Sequence, residues 1–437
     1  MSIAEATAIS AVRAMCMSAI VCFASMRVTR RSLPSQAVWL LLAAFMMPPI
    51  LTGYHVATTR ADAIGWRAEL EYSVLLFLRV LPLALLLASL HPRPGVGEGA
   101  YAFATMRRIS WRERIAWSVR GWWGDCGGVY CAVFLVAFQE FDLAACMNAR
   151  TWTVALFDAQ AGGLALSDSL RLMLAPLVVE VAAMAMLFVR WRCVRGRPMT
   201  DARPNAGMMP AALFCIAICC TSFLAPLLAV REGWNGLSAM REFTLAREVF
   251  NSFLLAVVSS GIAWLLAGWA ARHRLRAALL AVPGLLGALV LSLVVLAVFN
   301  ASPFQILRAS PIPVLSAMVL GLMPAALFVR YIIRLNAATE AAFAAESMGE
   351  RSINWVLRSR PALLGGVLLF VQAYGDFTAN SLLAPPALTS AFSRIFNLMH
   401  YGRTEILSAL LVVTLIVPVV AVSVLLFIAR FHVSRER

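Results

Sequence analysis

No lysine occurs anywhere in this chain of 437 residues. A phosphate-binding P-loop needs its lysine on the β- and γ-phosphates, so an orthodox ATP-binding cassette is excluded and any ATP-driven work falls to a separate subunit. Charge is scarce too: Asp, Glu and Arg make up 14% of the residues, against roughly a quarter in soluble proteins. The five histidines (His55, His91, His273, His400, His432) lie at the ends of apolar runs or between them. The nine cysteines fall mostly inside those runs, and no Cys/His spacing suits zinc or an iron–sulfur cluster, so neither a metal nor another cofactor is expected. No nucleophile elbow and no paired carboxylates at working spacing are present, so the chain itself is not expected to be an enzyme.

What the chain has in abundance is apolar length. Hydrophobic residues make up 61% of it and its mean hydropathy is +0.81, which describes a polytopic, all-α membrane protein embedded in lipid. Runs of about 20 apolar residues are needed to cross a bilayer core. Eleven can be placed: 8–26, 37–54, 70–90, 127–146, 170–188, 210–230, 249–270, 277–299, 313–333, 362–383 and 405–429. The first carries Arg13 and no small-residue cleavage site, so it reads as a span and not as a removable signal peptide.

A net charge of +15 would suggest nucleic acid in a soluble chain. Here the arginines cluster in short turns between apolar runs, the positive-inside pattern, and no nucleic-acid partner is expected.

Two halves of the chain resemble each other. Pro82 in Arg79-Val-Leu-Pro-Leu-Ala-Leu matches Pro324 in Gly321-Leu-Met-Pro-Ala-Ala-Leu, an offset of 242 residues, and Ala102-Phe-Ala-Thr-Met-Arg107 lies on Ala344-Ala-Glu-Ser-Met-Gly349 at the same offset. Phe138-Gln-Glu140-Phe141 lies on Tyr374-Gly-Asp376-Phe377. This predicts two direct five-helix repeats, residues 1–205 and 206–437, joined by one extra span at 210–230 that restores the orientation. With the two polar loops inside, cytoplasmic segments hold 25 of the 37 arginines and the opposite segments nine. The N-terminus is then outside and the C-terminus cytoplasmic.

Ionisable residues within spans are costly and face a bundle interior or a watery path. Glu140-Phe141 and Asp376-Phe377 occupy equivalent positions in the two halves. They shape a translocation pathway or its outer gate near the pseudo-twofold axis, or they are helix-breaking patches satisfied by neighbouring backbone. Glu180, mid-span, has Arg79 and Arg171 as candidate partners; an ion pair joining helices is favoured there over a substrate contact.

The stretch from Glu340 to Gly366 is a polar, basic island between two apolar runs. An Ala-rich helical piece ends at Met348, Gly349 makes the turn, and a second short helix is stopped by Pro361. Ala344, Ala345, Gly349 and Pro361 resemble the EAA loop of ABC importer permeases, although Phe343 stands at the family's glutamate position and Glu340 comes three residues early. Tyr374-Gly-Asp-Phe377, the Leu382-Leu-Ala-Pro-Pro386 that follows it and the amphipathic 391–403 are similar to ferric-iron and thiamine type permeases. The resemblance implies a type-1 ABC permease fold with both transmembrane halves fused in one chain of a bacterial inner membrane. It implies coupling loops at 340–361 and, degenerate, at 102–121 (Ala102, with Arg107 in place of the glycine). It also implies a cytoplasmic ABC ATPase dimer, a periplasmic or extracellular binding protein, and a small solute such as ferric iron or thiamine. An ion-gradient carrier using Asp376, Glu140 or Glu180 is the alternative, and a polytopic membrane enzyme acting on lipid a more distant one.

Overall fold

The computed structural model describes residues 2–28, 35–50, 65–90, 126–193, 246–336 and 359–400, with scattered positions at 52–56, 217–234, 347 and 409–423. Every regular element among these residues is helical. In the first part of the chain they are α1 (Ile3–Val28), α2 (Ser35–Met46), α3 (Trp66–Leu90), α4 (126–138), α5 (Asp142–Cys146), α6 (Trp152–Ala161), α7 (Leu166–Leu172) and α8 (Leu174–Cys193). In the second part they are α9 (Ala246–Ala270), α10 (Arg274–Leu285), α11 (Ala288–Asn300), α12 (Ile312–Asn336), α13 (Arg360–Tyr374), α14 (Thr378–Leu383) and α15 (Ala391–His400).

Among the described residues five stretches are long and apolar enough to cross a membrane: Ile3–Ser25, Trp66–Ser89, Cys126–Cys146, Ala246–Ala270 and Ile312–Leu335. The number rises to seven if each of two bent pairs, α7–α8 and α10–α11, is one span. Several of the apolar runs placed from sequence are interrupted in the structure, and the interruptions have local causes. The run expected at 37–54 is interrupted at residues 47–48 and turns helical again at Pro49, because Pro48 and Pro49 remove backbone donors and clash with the preceding turn. The run at 277–299 turns by 97° at Gly287, where φ is +78°, a conformation that favours glycine. The run at 362–383 breaks at residues 375–377, and that at 170–188 bends by 48° at Met173. Most of the runs expected at 210–230 and 405–429 lie outside the described residues.

Packing follows the same plan in both parts. In the first, α3 packs on α1 and α2, and α6 on α1; in the second, α12 packs on α9 and α10, and α15 on α9. Ser10 on α1 accepts a hydrogen bond from the first amide of α6, Trp152 N, at 3.2 Å. Ser252 on α9, 242 residues later, accepts one from the first amide of α15, Ala391 N, at 2.9 Å.

Without water to hydrogen-bond in a bilayer, and with lipid as apolar as leucine, close helix contact through small residues becomes the main attraction. Gly284 illustrates this. A Cβ there would lie 2.3 Å from Leu320 O, the carbonyl that Pro324 leaves without an intrahelical donor, and 2.6 Å from the proline ring. Gly268 makes room on α9 for the Arg330 guanidinium, which donates to Trp264 O at 2.7 Å and stacks on the Trp264 ring at 4.0 Å. Gly365 brings α13 against Val329 and Trp264. In the first part, Arg13 pairs with Glu69 and lies over the Tyr72 ring, tying α1 to α3.

Candidate functional site at the junction of the broken helices

Each part contains a span interrupted two-thirds of the way along, α4–α5 at 139–141 and α13–α14 at 375–377, and the acidic residue at each interruption caps the short helix that follows. Glu140 is buried; its Oε1 accepts from Leu143 N at 2.7 Å and its Oε2 from Ala144 N at 3.0 Å. Asp376 Oδ1 accepts from Ala379 N at 3.0 Å. The carboxylates thus satisfy the orphan donors that a new helix start exposes. Of the two readings of these acids, satisfaction by neighbouring backbone is the one the hydrogen bonds display. The carbonyls before the first interruption are served by α6: Trp152 Nε1 donates to Phe138 O at 2.8 Å, and Thr153 Oγ1 to Glu140 O at 3.0 Å.

The phenylalanines that follow the two acids meet. Phe141 and Phe377 stack with ring centroids 5.7 Å apart and planes 7° from parallel. Phe157 of α6 packs on Phe141 at 4.8 Å and on Phe396 at 5.9 Å, and Phe396 of α15 packs on Phe377 at 4.3 Å. All four rings are buried, two from each part of the chain. Beside them, Thr378 Oγ1 donates to Asp142 Oδ1 at 3.3 Å, a polar link between the parts. Phe157, Phe396 and Asp142 were not singled out from sequence. Phe157 lies 16 residues beyond Phe141 and Phe396 lies 19 beyond Phe377, so no constant spacing marked the second pair in the sequence.

The second span of each part is also interrupted, and each interruption touches the fourth span of the other part. Pro48, after α2, fits against Gly375: a Cβ on Gly375 would lie 2.2 Å from Pro48 Cγ. Gly287, between α10 and α11, fits against Gln139: a Cβ there would lie 3.0 Å from Gln139 Cδ. Gln139 and Gly375 are themselves equivalent positions, so the same relation is made twice with the glycine on opposite partners.

Each interruption also frees a carbonyl that finds a side-chain donor. Arg79 Nη1 donates at 3.3 Å to Ala44 O, the carbonyl four residues before Pro48, with its guanidinium 5.2 Å over Phe45. Gln139 Nε2 donates at 2.6 Å to Leu285 O, at the end of α10. Ala44, Met47, Pro49, Leu75, Arg79 and Leu143 line a small recess beside the first interruption.

Glu180 departs from expectation. It is fully buried in α8, and neither oxygen has a hydrogen-bond partner; the Gln139 amide lies beside it without hydrogen-bond geometry. Arg79 is engaged at Ala44, within electrostatic reach of Glu140 and Asp142, and Arg171 pairs with Asp168 on the exposed α7. The expected ion pair of Glu180 with either arginine is therefore absent.

Of the loop residues singled out from sequence, Ala102, Arg107, Glu340, Ala344, Ala345 and Gly349 lie outside the described residues. Pro361 is in the first turn of α13, where the missing N–H costs nothing. Among the described residues no group of His, Cys, Asp and Glu is arranged to hold a metal ion. Comparison of the chain with protein-family models, curated proteins and solved structures returned no match.

Proposed function

We propose that this chain is a fused permease of a bacterial ABC importer, in which residues 1–205 and 206–437 are two direct repeats that enclose one translocation pathway for a small solute. The observation that carries the reading is the reciprocal contact of the interruptions: span two of each part on span four of the other, closed between them by the Phe141–Phe377 stack. Interrupted helices at a repeat interface are where transporters of several designs place a pathway, because a break supplies mobile backbone that still must be satisfied. In this reading the four phenylalanines seal the pathway in the closed state, with Glu140 and Asp376 fixing the short helices that carry the seal. The eleven-span count, the inner-membrane location and the outside N-terminus rest on the apolar runs and the arginine asymmetry. The EAA-like sequence supports a cytoplasmic ATPase dimer as the motor and a binding protein as the supplier. Ferric iron and thiamine are the solutes the resemblance names.

The test lies in the second loop. Gly349→Val resists a positive φ and costs on the order of 1 kcal/mol locally. The expected outcome is a protein that reaches the membrane but loses ATPase co-purification or transport, while Arg107→Val stays largely active. Normal transport by Gly349→Val, unaffected by ATPase depletion, would reject the importer reading. One observation favours a second reading, a gradient-driven carrier: a fully buried carboxyl, Glu180, without a counter-charge. Its signature would be that same ATPase independence.

A further inference from the structure

Glu180 is the one fully buried carboxyl among the described residues whose two oxygens both lack a hydrogen-bond partner. Among the described residues no ionisable group faces it from a neighbouring element. On α1, Arg13 is paired with Glu69, Glu5 is bonded to Ser2 at the N-terminus, and Cys22 faces Cys126 and Cys131. On α7, Asp168 and Arg171 hold each other. On the α4–α5 span, Glu140 is bound by backbone amides and Asp142 by Thr378. Arg190 stands ten residues farther along α8, about 15 Å by helix rise. An ionised carboxylate taken out of water without a partner costs several kcal/mol, and such a group takes up a proton instead.

What Glu180 does face is the Gln139 amide, which holds Leu285 O at the 97° turn between α10 and α11. The positive φ of Gly287 and its missing side chain let Gln139 lie flat against that turn. A carboxylic acid can donate to Gln139 Oε1 and leave Nε2 on Leu285, whereas a carboxylate only accepts, so it turns the amide to draw on the second N–H of Nε2 and pulls that nitrogen off its line to Leu285 O. We infer that Glu180 is a proton-binding site coupled to the α10–α11 turn: the closed turn holds the acid, and opening it admits water and releases the proton. This does not rest on the source of energy; it applies equally to an ATP-driven and to a gradient-driven machine.

The full-length protein, purified in detergent, tests the inference with dicyclohexylcarbodiimide, an apolar reagent for protonated carboxyls. The acid adds across one C=N bond, its proton passing to nitrogen, and the O-acylisourea rearranges to a stable N-acylurea that peptide mass spectrometry locates. Glu180 is expected to label in preference to Glu140, and Glu180→Gln to remove that label. Amide hydrogen exchange over 286–291, corrected for intrinsic chemistry, is expected to rise several-fold from mildly acid to mildly alkaline buffer. In Glu180→Gln that dependence should vanish. Gln139→Met, which keeps the acid but removes the bridge, should still label and should lose the dependence. Absence of label on Glu180, or the same pH-dependent exchange in wild type and both variants, overturns the inference. So does label at Glu180 with pH-independent exchange in the wild type, since the site would then be uncoupled.

Discussion

Replacing Gly375 by alanine is the sharpest perturbation of the junction. The backbone at Gly375 has φ −83°, open to any residue, so the glycine is there for space alone. The new Cβ would stand 2.2 Å from Pro48 Cγ and 2.5 Å from Pro48 Cβ, about 1 Å inside ordinary contact, which begins at 3.4 Å. A proline ring cannot rotate away, so the backbone of one interruption must retreat. Overpacking of this kind costs about 1–3 kcal/mol. Pro48 Cα lies 3.6 Å from the same point, so removing the ring relieves the clash without further movement. Gly375→Ala is therefore expected to lower the thermal midpoint of the purified protein and its transport. Pro48→Gly is expected to lose stability on its own, and the double variant to be more stable than the two single losses predict. A coupling energy of about 1 kcal/mol or more in that cycle is expected for residues in direct contact. Strict additivity, or a Gly375→Ala protein as stable as the wild type, would refute the placement of Pro48 on Gly375 and with it the reciprocal arrangement of the two parts.

Three further outcomes are expected. Cysteines replacing Phe141 and Phe377 should form a disulfide under mild oxidation in the resting protein and less of it during turnover; no crosslink in any nucleotide state would dissolve the seal. Arg79→Met should cost about 2 kcal/mol, because it strips a charged donor from Ala44 O, and denaturant titration of purified protein would show no change if that carbonyl had another donor. Cys193 should react with an impermeant maleimide only from the cytoplasmic side, and a reporter after Ala301 should be accessible only from outside; reversed accessibility would overturn the orientation.

Helical class and membrane embedding were legible from the sequence because both follow from long apolar runs, which no other solvent tolerates. The interruptions were not, although their residues stood in plain view. Averaged apolarity does not register that Pro48-Pro49, Gly287 or Gly375 end a hydrogen-bond ladder, so runs at 37–54, 277–299 and 362–383 read as unbroken. The acid-Phe pairs were legible because the repeat marked them twice. Their neighbours Phe157 and Phe396 were not, since only the return of the short helices α6 and α15 onto α1 and α9 brings them near. Charge complementarity misled at Glu180. Arg79 is drawn away by a carbonyl that exists only because Pro48 breaks α2, and that carbonyl cannot be inferred without first placing the break.

The way the broken ladders are repaired also bears on how the two parts can move. In a bilayer each freed backbone group needs a partner, so an interruption is tied to whichever element supplies it. The interruption after α2 is served by Arg79 of α3, its own neighbour in sequence and packing, and those two elements can travel together without losing the bond. The turn between α10 and α11 is served by Gln139, which belongs to the other part of the chain. Relative movement of the parts therefore leaves Ala44 O satisfied and exposes Leu285 O. A net cost of about 1 kcal/mol attends each such bond lost, more if the carbonyl stays dry. Opening must then coincide with the arrival of water or of a new donor at that turn, the same event that would reach Glu180. The asymmetry makes the α10–α11 turn, and not its counterpart at Pro48, the place where movement of one part breaks a hydrogen bond held by the other.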